Sequence, residues 1–156
     1  MSVRLVAFAL IIAAFSIIFV LMMHYSHKGF HQYFQNAYIR VLVGSLLLIL
    51  LVFIFQGRYL GAGMEVVDEA IYGQVLPYDF LLKAIFTAIT IGSGFKGGEI
   101  VPTFVIGSTL GYMLALLLGF DPHLGGAIGI VGMFCCVINS PLTSLMLGAE
   151  MFGIQY

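Results

Sequence analysis

Residues 91–102 have the sequence IGSGFKGGEIVP and interrupt a chain that is otherwise apolar enough for lipid. Four glycines, a serine, a lysine and a glutamate separate two hydrophobic runs at this point. A glycine-rich backbone followed by Pro102 at the start of a new apolar helix exposes free N–H groups and the positive end of a helix dipole. Within a membrane, this combination predicts an anion-transport site.

The composition indicates a polytopic membrane protein. Hydrophobic residues make up 62% of the 156 residues and charged residues 8%, whereas soluble domains contain about 25% charged residues. The net charge of −1, with only six Lys and Arg spread along the chain, provides no basic face for a nucleic-acid partner. At about 20 residues per crossing, the chain has room for about five membrane-length helices in contact with the lipid bilayer.

Two transmembrane helices are predicted in the first third of the chain. Residues 5–23 are an uncharged run, and a second apolar run covers residues 37–55. His24, His27 and His31 follow the first run on one helical face. Without a nearby carboxylate or cysteine they favour a membrane–water interface over a metal site. Positive charges at both ends of both runs leave the membrane orientation open.

The most polar connection, residues 56–79, follows the second run. Glu65, Asp68 and Glu69 in this connection are spaced to share one face of a short helix. Their spacing favours a solvated face. A calcium site is the alternative, although calcium loops use a tighter alternation of acids.

From residue 80 the pattern changes to shorter pieces interrupted by glycine. Residues 80–91 are too few to cross a bilayer, whereas residues 100–118 are long enough. Two further apolar pieces cover residues 124–138 and 142–152, and the break between them places Pro141 in the first turn of the last helix. Such discontinuous helices require protein or a water-filled cavity to satisfy the freed backbone groups. Close helix packing is predicted at Gly107, Gly111, Gly125 and Gly129.

Several of these motifs, taken in order, resemble the CLC chloride channel and antiporter family. Residues 98–102 match that family's G-x-F-x-P signature in the first and last positions. Residues 140–143, with the sequence SPLT, are followed by Glu150 and resemble the helix pair that comes after this signature in the family. The sequence YLGAG at residues 59–63 is similar to the family's Y-L-G-x-G turn. GFKGGE at residues 94–99 resembles the fluoride-exporting branch, which usually has threonine where this chain has Val101.

The resemblance covers essentially the whole chain, but it matches only the second of the two inverted repeats of a CLC membrane domain. It implies an all-α integral membrane fold with re-entrant, discontinuous helices. Residues 1–156 would form a partial transmembrane domain that lacks the first repeat and the last helices. A homodimer is implied for any complete version, together with a multi-pass location in a bacterial cell membrane and no cofactor.

The family resemblance also implies transmembrane transport of chloride or fluoride, by a channel or by a proton-coupled antiporter. The anion would be held by backbone N–H groups at Gly97, Gly98, Glu99 and Ile100. Hydrogen bonds to a charged species contribute about 1.5–3 kcal/mol each, so a few amides offset part of the dehydration cost without trapping the ion. Three possibilities are predicted for the Glu99 carboxylate: it carries a proton during exchange, it points away to a donor such as Lys96, or it caps the helix start.

Two alternatives remain open. One is a transporter fragment that is inactive without an N-terminal repeat, because half a site cannot surround an ion. The other is an intramembrane enzyme with Ser93 as nucleophile and His123 as its base. The glycine directly beside Ser93 and the lack of histidine in the apolar spans argue against this second alternative, so no enzyme activity is expected.

Overall fold

The computed structural model describes residues 2–57, 59, 61, 63–72 and 75–153, and this part of the chain is all-helical. The seven helices described are α1 (Ser2–Tyr33), α2 (Ala37–Phe55), α3 (Met64–Tyr72), α4 (Asp79–Gly92), α5 (Ile100–Leu118), α6 (Pro122–Ile138) and α7 (Pro141–Phe152). Helices α1, α2 and α5 are long and apolar enough to cross a membrane. The predicted all-α membrane fold is confirmed, and it suits lipid because helices satisfy their backbone polar groups internally.

The predicted boundaries of α2 and α5 are confirmed, and those of α4, α6 and α7 are displaced by one or two residues. The first helix is longer than predicted, since it continues past residue 23 to Tyr33. Its extension is held against α4, because the Ser26 hydroxyl donates to the Ala88 carbonyl over 2.7 Å. The polar residues after position 23 therefore belong to one continuous helix.

Helices α5 and α6 pack with their backbones in direct contact. A methyl group added at Gly107 would lie 2.6 Å from the Gly129 carbonyl oxygen, and one added at Gly111 would lie 2.3 Å from the Gly125 carbonyl oxygen. Side-chain carbons do not approach backbone atoms so closely, so these positions require glycine. The predicted packing role of the four glycines is confirmed, and it provides the van der Waals contact that drives helix association in lipid.

Two apolar clusters surround this glycine contact. Helix α1 crosses α5 and α6, burying Phe8 and Phe19 near Met133 of α6. Helix α3 also packs against the α5–α6 pair, where its Val66 contacts Ile130 of α6. Both clusters hold α5 firmly within the fold, because its central residues are enclosed by neighbouring helices.

Helix α2 lies at the edge of the structure. Its buried residue is Gly44, where an added methyl group would collide with the Ser93 side chain at 2.1 Å. The outer face of α2 is apolar and exposed, with Tyr38 and Phe53 each 90% accessible. Such a face suits contact with lipid or with further transmembrane helices. The position of Gly44 brings α2 over the end of α4, next to the segment 93–99.

The glycine contact can be tested with Gly129→Ala. The added methyl group would lie 2.1 Å from the Gly107 carbonyl oxygen, so the two helices must separate at a cost of about 1–3 kcal/mol. We expect a lower midpoint of thermal unfolding in detergent. Gly29→Ala is the matched control, because nothing lies within 4 Å of its added methyl group. Equal midpoints for the two variants would contradict this packing.

Candidate functional site

The start of α5 presents backbone N–H groups that are not used by the described backbone. Residues 96–101 donate no backbone hydrogen bond to a carbonyl of the described residues, and the first such bond runs from the Thr103 N–H to the Glu99 carbonyl over 3.1 Å. Pro102 has no N–H to donate. The segment therefore combines unpaired donors with the positive end of a helix dipole, and this combination can bind an anion.

All four predicted anion-binding residues, Gly97, Gly98, Glu99 and Ile100, lie in this segment and are exposed. Nothing lies within 4 Å of the position that a Cβ would take at Gly97 or at Gly98. Their backbone is therefore open to an approaching ion. Gly94 has a φ of +96°, a conformation that glycine adopts readily, and it turns the chain between α4 and this segment.

Glu99 occupies the N-cap position of α5, but its side chain makes no capping hydrogen bond. The predicted capping role of its carboxylate is therefore wrong. The physical reason is the backbone of Glu99, whose φ of −85° and ψ of −16° are helical, whereas a capping residue needs a more extended conformation to turn its side chain back. Its carbonyl accepts from the Thr103 hydroxyl over 2.6 Å, which fixes the first turn through the main chain.

A cavity of about 740 Å³ lies between α2, α4 and α5 and reaches Gly97 and Gly98. Much of its wall is apolar, including Leu48 of α2. Thr87 and Thr90 also line it, but their hydroxyls donate to carbonyls of their own helix over 2.8 and 2.7 Å. The cavity therefore offers an ion few side-chain dipoles, which makes the backbone N–H groups at its rim more important.

Lys83 also lines this cavity, and its position is not expected from the sequence patterns above. It is only 2% exposed, and its ammonium donates to the carbonyls of Tyr59 and Gly61 over 3.1 and 2.7 Å. Leu60 and Ala62 of the predicted Y-L-G-x-G turn lie outside the described residues. The feature of the sequence that could have identified Lys83 is its place inside an apolar segment, because an ionisable residue within a membrane segment indicates a functional role.

Asp79, the last residue of the polar connection 56–79, begins α4 and is fully buried. Its carboxylate accepts hydrogen bonds from the Tyr59 hydroxyl and from the Leu76 N–H, the latter over 2.8 Å. Of the three acids predicted to form a solvated face, Glu65 and Asp68 of α3 are exposed, whereas Glu69 is half-buried. Asp79 instead ties the end of the connection to Tyr59.

One of the three histidines predicted at the interface, His31, contacts α2. His31 Nδ1 lies 2.9 Å from Arg40 Nη1, and because a guanidinium can only donate, this nitrogen accepts and is not available to a metal. The rings of His27 and His31 are 4.4 Å apart between centroids. No group of three metal-ligating side chains is found within the described ranges. The Arg40 guanidinium also lies 3.3 Å from the position of a Cβ at Gly94.

The two residues considered for an enzyme have different surroundings. The buried Ser93 hydroxyl donates to the carbonyls of Ile89 and Thr90 over 2.6 and 3.1 Å. His123 lies at the start of α6, where its ring is 6.0 Å from the Tyr112 ring. The Ser93 hydroxyl is thus bonded to its own helix, and no described hydrogen bond joins it to a histidine.

Comparison with known proteins identifies relatives of this architecture. The family model described as voltage gated chloride channel matches residues 2–156. The chloride/fluoride channel protein of Pseudomonas syringae pv. tomato (strain ATCC BAA-871 / DC3000) is 38% identical over 96 residues, which cover 62% of this chain and 21% of that protein. The H(+)/Cl(-) exchange transporter ClcA of Yersinia pestis bv. Antiqua (strain Angola) is 32% identical over 124 residues, which cover 71% of this chain and 26% of that protein.

The chain therefore spans roughly a fifth to a quarter of the length of these relatives. The crystal structure of a CLC-type fluoride/proton antiporter is similar over 98% of this chain and 39% of that chain, with a TM-score of 0.94 and 35% sequence identity. Because the family model matches nearly every residue, this chain belongs to the voltage gated chloride channel family, the CLC family.

Proposed function

We propose that the chain forms part of a halide-transporting membrane domain, in which backbone N–H groups of Gly97, Gly98, Glu99 and Ile100 bind the anion. The observation that carries this proposal is the run of unpaired N–H donors at the start of α5, beside the cavity between α2, α4 and α5. The names of the relatives, a chloride/fluoride channel protein and a proton/chloride exchanger, support the same class of cargo.

Backbone amides suit a transported halide for an energetic reason. An ion that leaves water must recover part of its hydration energy, and each hydrogen bond to a charged species contributes about 1.5–3 kcal/mol. Backbone N–H groups carry only partial charges, and an ion that they bind can leave as well as enter, as conduction requires. A few oriented N–H groups therefore provide binding of intermediate strength.

We propose fluoride as the preferred cargo and a proton-coupled exchange as the mechanism. Two observations support this: the sequence GFKGGE at residues 94–99, and the similarity to a structure described as a fluoride/proton antiporter. Chloride transport is the alternative, and Val101, where the fluoride branch usually has threonine, favours it.

A second candidate function is that of a transporter fragment, which transports halide only when another protein surface completes the anion site. The open geometry of the α5 start favours this candidate, because Phe95 and Ile100 remain 37% and 47% exposed. A halide bound here would face protein on one side. The complete unit, proposed as a homodimer, would then need a first repeat opposite α5.

An intramembrane enzyme is the weaker alternative. Its nucleophile would be Ser93, whose hydroxyl donates to carbonyls of its own helix, and a nucleophilic serine requires a base within hydrogen-bond reach. The family description as a chloride channel agrees with a function other than catalysis.

Halide release from liposomes tests the proposal. The purified chain is reconstituted alone, and also co-expressed with the part of the Pseudomonas syringae relative that precedes the matched region. Liposomes contain potassium chloride and potassium fluoride, and two ion-selective electrodes record efflux after valinomycin or a proton carrier is added. We expect faster efflux than from protein-free liposomes, with fluoride ahead of chloride. If neither preparation releases either halide while circular dichroism shows helical protein, the proposed function is wrong.

Glu99→Gln tests the proposed proton carrier. The amide cannot take up a proton near neutral pH, so we expect halide-driven proton movement to fall at least tenfold. Halide flux itself should continue, because the N–H groups at the α5 start remain. The matched control is Glu150→Gln, which neutralises an exposed acid of α7. An unchanged ratio of protons to halide in the Glu99 variant would rule out this role.

A further inference from the structure

The environment of Lys83 is unusual for a membrane helix. Its side chain is buried in α4, and its ammonium donates to two backbone carbonyls, those of Tyr59 and Gly61. A Cβ at Gly63 would lie only 2.9 Å from Lys83 Nζ, so the backbone also passes close to the ammonium at this glycine. Tyr59, Gly61 and Gly63, which precede α3, therefore all lie close to one buried cation.

The hydrogen bonds of Lys83 hold its charge in place without neutralising it. Both acceptors are carbonyl oxygens, which carry no net charge. The carboxylate of Asp79, one helical turn earlier, accepts hydrogen bonds from Tyr59 and from the Leu76 N–H. A buried charge is costly in an apolar environment unless it has a partner, so an ammonium held in this way would gain from a nearby anion.

The ammonium also has a donor to spare. A lysine ammonium carries three N–H donors, and the described structure uses two of them, for Tyr59 and Gly61. Lys83 lines the same cavity as Gly97 and Gly98. It is the single charged side chain among the described residues that line this cavity. Electrostatic attraction inside such an apolar space is several times stronger than in water.

We propose that Lys83 forms a second halide subsite, in which its remaining N–H binds the anion inside the cavity between α2, α4 and α5. This subsite rests on the proposed halide function and extends it from the rim of the cavity to its wall. The turn that contains Tyr59 and Gly61 positions the ammonium. Backbone amides at the α5 start and the Lys83 ammonium then bind the same ion at successive positions.

The first test compares Lys83→Met with Lys28→Met. Methionine keeps a long unbranched side chain and removes the charge, and the control makes the same change at an exposed lysine of α1 that does not line the cavity. We expect the halide concentration that gives half-maximal flux to rise at least tenfold in Lys83→Met and to stay within twofold in Lys28→Met. A structural role alone would lower the thermal unfolding midpoint of Lys83→Met while leaving this concentration unchanged, and that result would overturn the proposal.

The second test uses the wild-type protein and does not depend on whether a variant folds. The chain is labelled with ¹⁵N-lysine, and the side-chain Nζ resonances are followed by NMR during a potassium fluoride titration against a potassium gluconate control. We expect the buried Lys83 resonance to move with fluoride, while that of the exposed Lys28 in α1 does not. An unmoved Lys83 resonance in protein that releases halide from liposomes would disprove this subsite and leave the proposed function intact. Protein that releases no halide would fail the proposed function itself.

Discussion

Direct backbone contact between α5 and α6 is the constraint on which the rest of the structure depends. At Gly107 and Gly129, the carbonyl of one helix occupies the space that the other helix would need for a side chain. Association in lipid gains little from the hydrophobic effect, so this close contact must supply much of the attraction between the two helices. It fixes the axis of α5, and hence the place where the unpaired N–H groups at its start are presented.

The N–H groups at the α5 start have no hydrogen-bond partner among the described residues, whereas buried polar groups of α4 and α5 are hydrogen-bonded. Along α4 and α5, hydroxyls such as those of Thr87 and Thr109 donate to carbonyls of their own helix. Asp79 and Lys83 are buried, yet both are hydrogen-bonded. In a membrane, a backbone N–H without a partner costs several kcal/mol. A segment that leaves such groups exposed beside a cavity is therefore best explained by a ligand or a protein surface that completes it.

Much of the fold could be predicted from the sequence, because apolar run length and glycine spacing report local properties. The α2 and α5 boundaries and the packing glycines follow from such local signals. The end of α1 could not be predicted, since it depends on a hydrogen bond from Ser26 to a carbonyl 62 residues away. The same holds for Lys83, whose acceptors lie in a turn on another part of the chain. The backbone angles of Glu99, which exclude side-chain capping, likewise depend on how the preceding segment arrives at α5.

The binding of a halide by main-chain N–H groups can be measured by replacing a single amide. Ile100 is exchanged for its α-hydroxy acid analogue, which converts the peptide N–H into an ester oxygen and keeps the side chain. Fluoride affinity is then measured by calorimetry in the preparation that releases halide, with the same exchange at the exposed Leu142 as control. The proposed site predicts an affinity about 10- to 150-fold weaker at Ile100, corresponding to about 1.5–3 kcal/mol for one such bond. Equal affinity in the two esters would contradict anion binding by this amide.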